Sequence, residues 1–156
     1  MGVSSNNEIK IWIIWIDPNV DNKENSGYLK QLKSYSYFKP KPVKKMDEAM
    51  NIIKSIEFEE VYIILSGKLY IKFIEQFIEN LKDIYIIPKI IIFTGNKDKF
   101  IEYNKNYSNL LNHPFYNLGG IKTSFEEIKQ FLLKPLNKKI YILLINKYII
   151  LLYNML

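Results

Sequence analysis

Three short polar clusters and one imidazole hold the candidate chemistry of this 156-residue chain. Asp17-Pro18-Asn19 supplies a carboxylate and an amide, Ser66-Gly67 a hydroxyl on a tight turn, and Thr94-Gly95-Asn96 a second hydroxyl and amide. His113 is the only histidine. A carboxylate flanked by hydroxyls and amides can hold a polar ligand, a serine can attack a carbonyl, and a histidine can act as a general base. Each role also needs a positioned partner.

Most of those roles fail on spacing. A nucleophile elbow needs glycine two residues before its serine, and Ile64 stands there before Ser66. Gly67-Lys68 resembles the end of a P-loop, but Leu69 replaces the Ser/Thr and Tyr62 stands where the first glycine must be. Gly95-Asn96-Lys97-Asp98 resembles a guanine-reading motif whose aspartate comes one residue early. No G-x-G-x-x-G follows the first apolar run, so the dinucleotide fingerprint is missing. His113 has no nameable partner and reads as a loop residue before Pro114. Ser66 reads as a helix cap on a strand-to-helix turn. The sequence therefore predicts no catalysis and implies no cofactor.

Composition narrows the classes further. A hydrophobic fraction of 48% and an aromatic fraction of 15% exclude a disordered chain. With no cysteine and one histidine, thiolate sites, disulfides and histidine-based zinc sites are excluded or unusual. The net charge is +6, and Lys138, Lys139 and Lys147 contribute three of those charges in a tail without acids. Elsewhere lysine and glutamate alternate as on a solvated helix face, and no arginine is present, so nucleic-acid binding is not expected.

The clusters end apolar runs. Ile9 to Ile16, Glu60 to Leu65 and Lys89 to Phe93 are rich in Ile, Val and aromatics and read as strands buried on both faces. Each stops on one cluster and leads into helical sequence. A first helix is expected from Asn25 or Ser26, a short edge strand at Tyr37-Phe38, and a second helix capped by Asp47 with Met50, Ile53 and Ile56 on one face. Pro40 and Pro42 forbid a central strand there. Tyr70, Phe73, Ile74, Phe77, Ile78 and Leu81 recur at helical spacing. A helix-like stretch over 97–106, a brief fifth strand with a glycine turn near Gly119-Gly120, and a capping box at Ser124 to Glu127 complete the pattern, with Pro135 ending the last helix. Five strands alternating with five helices predict a three-layer α/β sandwich: a five-stranded parallel sheet, helices on both faces, and a polar carboxyl edge where partners bind. The expected division is a disordered lead over 1–7, one domain over 8–134 and an apolar tail over 135–156.

In element order this chain resembles the response-regulator receiver domain and its flavodoxin-like relatives. That resemblance implies acids after strand one, a phosphoacceptor Asp after strand three, a Thr or Ser after strand four and a Lys after strand five. Asp17 and Thr94 match the first and third positions, and Lys122 is the nearest candidate for the last. Ser66 stands at the phosphoacceptor position, so the resemblance implies a receiver that does not take phosphate. Glu75 and Glu79 lack the surroundings of the catalytic glutamate of Toll/interleukin-type domains. The phrases Trp15-Ile16-Asp17-Pro18-Asn19 and Asn112-His113-Pro114-Phe115-Tyr116-Asn117 are similar to those of a group of uncharacterised eukaryotic proteins, which implies no activity.

The expected function is a non-catalytic scaffold or adaptor module that binds a protein partner. The alternative is a small-ligand or nucleotide-binding domain using Asp17, Asn19, Ser66, Gly67, Thr94, Gly95 and Asn96. A secretory signal is not evident, so a cytoplasmic body is expected. The tail from Ile140 to Leu156 only just reaches the length of a spanning helix and carries Lys147 mid-way, so it is read as a membrane contact, as a packing element or oligomer contact, or as a poorly ordered terminus.

Overall fold

The computed structural model describes residues 10–57, 59–96, 98, 101 and 117–134. The chain divides into two units, Met1–Thr123 and Ser124–Leu156. The first is an α/β unit of flavodoxin-like topology. Its strands are β1 (Ile11–Ile16), β2 (Phe38–Val43), β3 (Glu60–Ser66), β4 (Lys89–Phe93) and β5 (Asn117–Lys122). They form one sheet in the order β2-β1-β3-β4-β5, and every pairing is parallel.

The three apolar runs become the three interior strands because both faces of each are covered. On one face Ile14 and Ile16 of β1, Val61, Ile63 and Leu65 of β3, and Ile90 and Ile92 of β4 pack with α2 (Met46–Lys54) and α3 (Tyr70–Glu79). In α2 these contacts come from Met46, Ala49, Met50 and Ile53, and in α3 from Tyr70, Phe73, Ile74 and Phe77. Each of those larger apolar side chains contributes about 1.5–3 kcal/mol of burial before ordering entropy is subtracted. The opposite face carries Ile11, Ile13, Trp15, Tyr62, Ile64 and Ile91, all buried. There α1 (Lys23–Lys33) stacks Tyr28 on Trp15 with ring centroids 6.2 Å apart.

Several local expectations change. Helix α1 starts two to three residues early, because Asn22 accepts from the Asn25 backbone N–H at 2.7 Å and caps it. Helix α2 starts at Met46, so Asp47 lies in its first turn, and Lys45 occupies the cap position without a side-chain bond. Ser66 makes no capping bond either: a 3-10 turn, Gly67–Leu69, intervenes before α3. The edge strand is longer than expected, since β2 runs six residues through Pro40 and Pro42. Gly119-Gly120 is no turn but a bulge within β5. Leu118 pairs with Ile90 and Gly120 with Ile91, and Gly120 takes a φ of 81° that favours glycine.

In the second unit, residues 125–134 are helical, with Phe125, Ile128 and Leu132 buried on one stripe. Ser124 Oγ accepts from the Glu127 N–H at 3.3 Å, the first half of the expected capping box. The lead over 1–7, most of the stretch over 97–106, His113, Pro135 and the tail lie outside the described residues. Among the described residues no helix is long and apolar enough to cross a membrane.

Candidate functional site

The chain leaves β1 toward β2 on one side and returns to β3 on the other. This makes the carboxyl ends of β1 and β3 a switch point, where loops diverge and leave a crevice. Asp17 follows β1 directly and Ser66 ends β3. Ile16 pairs with Leu65, and Ser66 pairs with Phe93 of β4, so Asp17, Ser66 and Thr94 share one edge. A polar cleft of about 280 Å³ lies there. Six of the seven sequence candidates line it: Asp17, Asn19, Ser66, Gly67, Thr94 and Gly95. Asn96 stays beside it, exposed, with its N–H donating to Thr94 Oγ1 at 3.2 Å.

The β1–α1 loop forms one wall and is built from its own hydrogen bonds. Asp17 Oδ1 accepts from the Asn19 N–H at 2.8 Å, while the Asp17 N–H donates to the Val43 carbonyl at 3.0 Å. Asn25, only 5% exposed, donates from Nδ2 to the Asn19 carbonyl at 3.0 Å. That single amide ties the turn to the first turn of α1.

On the opposite wall the ends of β3 and β4 approach closely at Gly67, where a Cβ would lie 3.0 Å from Thr94 Cβ. Thr94 is also fixed from β5, since its N–H donates to the Lys122 carbonyl at 3.1 Å. The bulge at Gly119-Gly120 absorbs one residue and sets Lys122 opposite Phe93, at the end of β5. Phe93 lines the cleft, edge-on to Trp15 at 6.0 Å and to Tyr28 at 6.5 Å.

Five lining residues escape the sequence reading: Asn22, Glu24, Asn25, Lys68 and Phe93. For Asn22 and Asn25 the signal available is a capping asparagine followed three residues on by a second asparagine. Glu24 accepts a hydrogen bond from the Tyr28 hydroxyl at 2.5 Å, and this bond, followed by burial, holds the Tyr28 pKa above its usual value.

The cleft can hydrogen-bond a small polar group through side chains from three strand ends. Its rim is wet, with Asn19, Asn22, Glu24, Lys68 and Gly95 exposed. Its volume falls just under the roughly 300–1,000 Å³ of small-molecule pockets. Among the described residues no three His, Cys, Asp or Glu side chains gather as a metal site. A larger cavity of about 520 Å³ lies between Val20, Leu29, Pro42 and Lys44, and no sequence candidate lines it. Compared with known proteins, the chain matches no family model and no curated protein.

Proposed function

We propose that the chain is a non-catalytic protein-interaction module, a scaffold or adaptor of pseudo-receiver type. The observation that supports this reading is the residue ending β3. Ser66 stands at the switch point between Asp17 and Thr94, with Lys122 ending β5, where a receiver would present its phosphoacceptor carboxylate. A serine hydroxyl there neither attacks an acyl phosphate as a carboxylate does nor helps hold Mg²⁺, which takes one or two carboxylates plus phosphate oxygens. The partner is accordingly recognised without a phosphorylation switch. The test is paired. Mass spectrometry after incubation with acetyl phosphate and Mg²⁺ is expected to show no adduct. A partner captured by the full chain and then purified should bind it saturably, with the same affinity whether or not acetyl phosphate is present. A stoichiometric phosphate adduct, or binding that depends on it, overturns the proposal.

A second reading is favoured by the convergence of polar groups from three strand ends on one cleft: a small-ligand or nucleotide-binding domain. It requires a saturable thermal shift with a nucleotide or small polar metabolite, abolished by Thr94→Val. No shift across a nucleotide panel, with partner binding retained by that variant, leaves the adaptor reading standing alone.

A further inference from the structure

The alternation of lysine and glutamate fails in one stretch. Residues 25–46 contain six lysines, Lys30, Lys33, Lys39, Lys41, Lys44 and Lys45, and no acid. Outside it sixteen basic residues balance sixteen acidic ones, so the excess in this stretch equals the net charge of the chain. They sit on the second half of α1, on β2 and on the link to α2, so they flank the free edge of the sheet, with Lys39 and Lys41 by register with Trp12 and Ile14 on the face of α2 and α3, and Lys30 and Lys33 on the helix that covers the other face. All six are exposed. Lys44 pairs with Asp21 at 2.6 Å, and Asp47 and Glu48 open α2 at one end. Lys30, Lys33, Lys39, Lys41 and Lys45 form no ion pair among the described residues.

We propose that this lysine edge docks on an anionic lipid surface. Three features select that partner over other polyanions. Strand addition by an acidic peptide needs open donors, and β2 has none: Pro40 and Pro42 lack an N–H, and the Phe38 N–H is taken by the Tyr35 carbonyl at 3.1 Å. Single-stranded nucleic acid needs open aromatic faces, but Tyr35, Tyr37 and Phe38 pack on one another at 4.8–5.7 Å. The Trp12 ring is covered by Lys39 Nζ at 4.0 Å. The basic residues are all lysine, compact point charges suited to a diffuse negative surface rather than to bidentate reading.

The test is co-sedimentation of the full chain with vesicles of phosphatidylcholine alone or with roughly a third phosphatidylserine. At about 0.1 M salt the anionic vesicles should bind at least about tenfold more tightly, and about 0.5 M salt should erase that preference. The variant Lys30→Gln/Lys33→Gln/Lys41→Gln/Lys45→Gln should lose most of the preference while keeping its residual binding to neutral vesicles. It leaves Lys39 on Trp12 undisturbed, and its melting curve checks the fold. The salt titration of the unaltered chain stands even if the variant fails to fold. Equal binding to both vesicle types, a salt-insensitive preference, or an undiminished preference in the folded variant overturns the proposal. Tighter salt-sensitive binding to polyuridylate than to anionic vesicles overturns it in favour of nucleic acid.

Discussion

A Cβ placed on Gly67 would lie 3.0 Å from Thr94 Cβ and 3.2 Å from Thr94 Oγ1. A side chain there would make Thr94 give by a few tenths of an ångström, so what favours glycine is the close approach of the ends of β3 and β4 and not a left-handed backbone.

Gly67→Ala should accordingly destabilise the chain by about 1–3 kcal/mol, as overpacking does. Adding Thr94→Gly should recover part of that loss, with a coupling of about 0.5–3 kcal/mol between the two positions. Urea denaturation of the two single variants and the double variant measures it. Strictly additive losses would show that the two residues do not meet.

Asn25 is the buried polar side chain that joins the β1–α1 turn to α1. Asn25→Ala leaves the Asn19 carbonyl without its donor and should cost about 1–3 kcal/mol. Asn25→Asp should cost more at neutral pH, because a buried carboxylate faces a carbonyl oxygen instead of donating to it. Burial raises that carboxyl's folded-state pKa, so the Asp variant should regain stability as pH falls below neutrality. Hydrogen exchange at Val20 and Asn22, whose N–H groups bond within the turn, should quicken in both variants. Unchanged protection there would separate Asn25 from the loop.

The sheet was legible because its interior strands are continuous apolar runs, which only a doubly covered strand tolerates; Lys89–Phe93 has the bounds expected of it. The cleft was legible for the same reason, since polar residues at the ends of such runs must fall on one edge of a parallel sheet. What escaped depends on local capping and register. Asn22 competes with Asn25 and Ser26 as a cap, and only the loop bonds decide among them. Ser66 looks like a cap, yet the 3-10 turn after it turns the chain without using its hydroxyl. Gly119-Gly120 looks like a turn because a bulge in an edge strand has the same glycine signature.

At the opposite end of β3, Tyr62 is fully buried and donates to Glu60 Oε1 at 3.0 Å, with Lys89 Nζ 3.2 Å from its hydroxyl and 3.3 Å from the same carboxylate. Burial first, and the Glu60 charge next, hold its phenol well above the ordinary range. A raised folded-state pKa contributes stability that is complete below the unfolded value of about 10 and is lost as pH rises beyond it. Tyr62→Phe should lower stability by about 1 kcal/mol at neutral pH through the lost hydrogen bond. The same variant should show a shallower alkaline decline above about pH 10. Denaturation of both proteins from neutral to alkaline pH tests this, and parallel declines would remove Tyr62 as the titrating group.

The free edge of β2 is built against pairing with another copy of itself. Ile11 donates to the Tyr37 carbonyl at 2.9 Å and Asp17 to the Val43 carbonyl at 3.0 Å, so odd-numbered residues of this strand turn their backbone groups toward β1. Pro40 and Pro42 have the other parity, with the side that faces outward, and the Phe38 N–H is already bonded to Tyr35. The edge thus offers acceptors without donors, a device against edge-to-edge association. Replacing both prolines with threonine restores two outward N–H groups. The folded unit should lose only about 0.4–1 kcal/mol per proline from the freer unfolded chain. Self-association should rise even so, against the repulsion of Lys39 and Lys41. Analytical ultracentrifugation over a concentration series measures it, at high salt to screen the lysines. A double variant that stays as monodisperse as the unaltered chain would show that charge, rather than the missing donors, protects this edge.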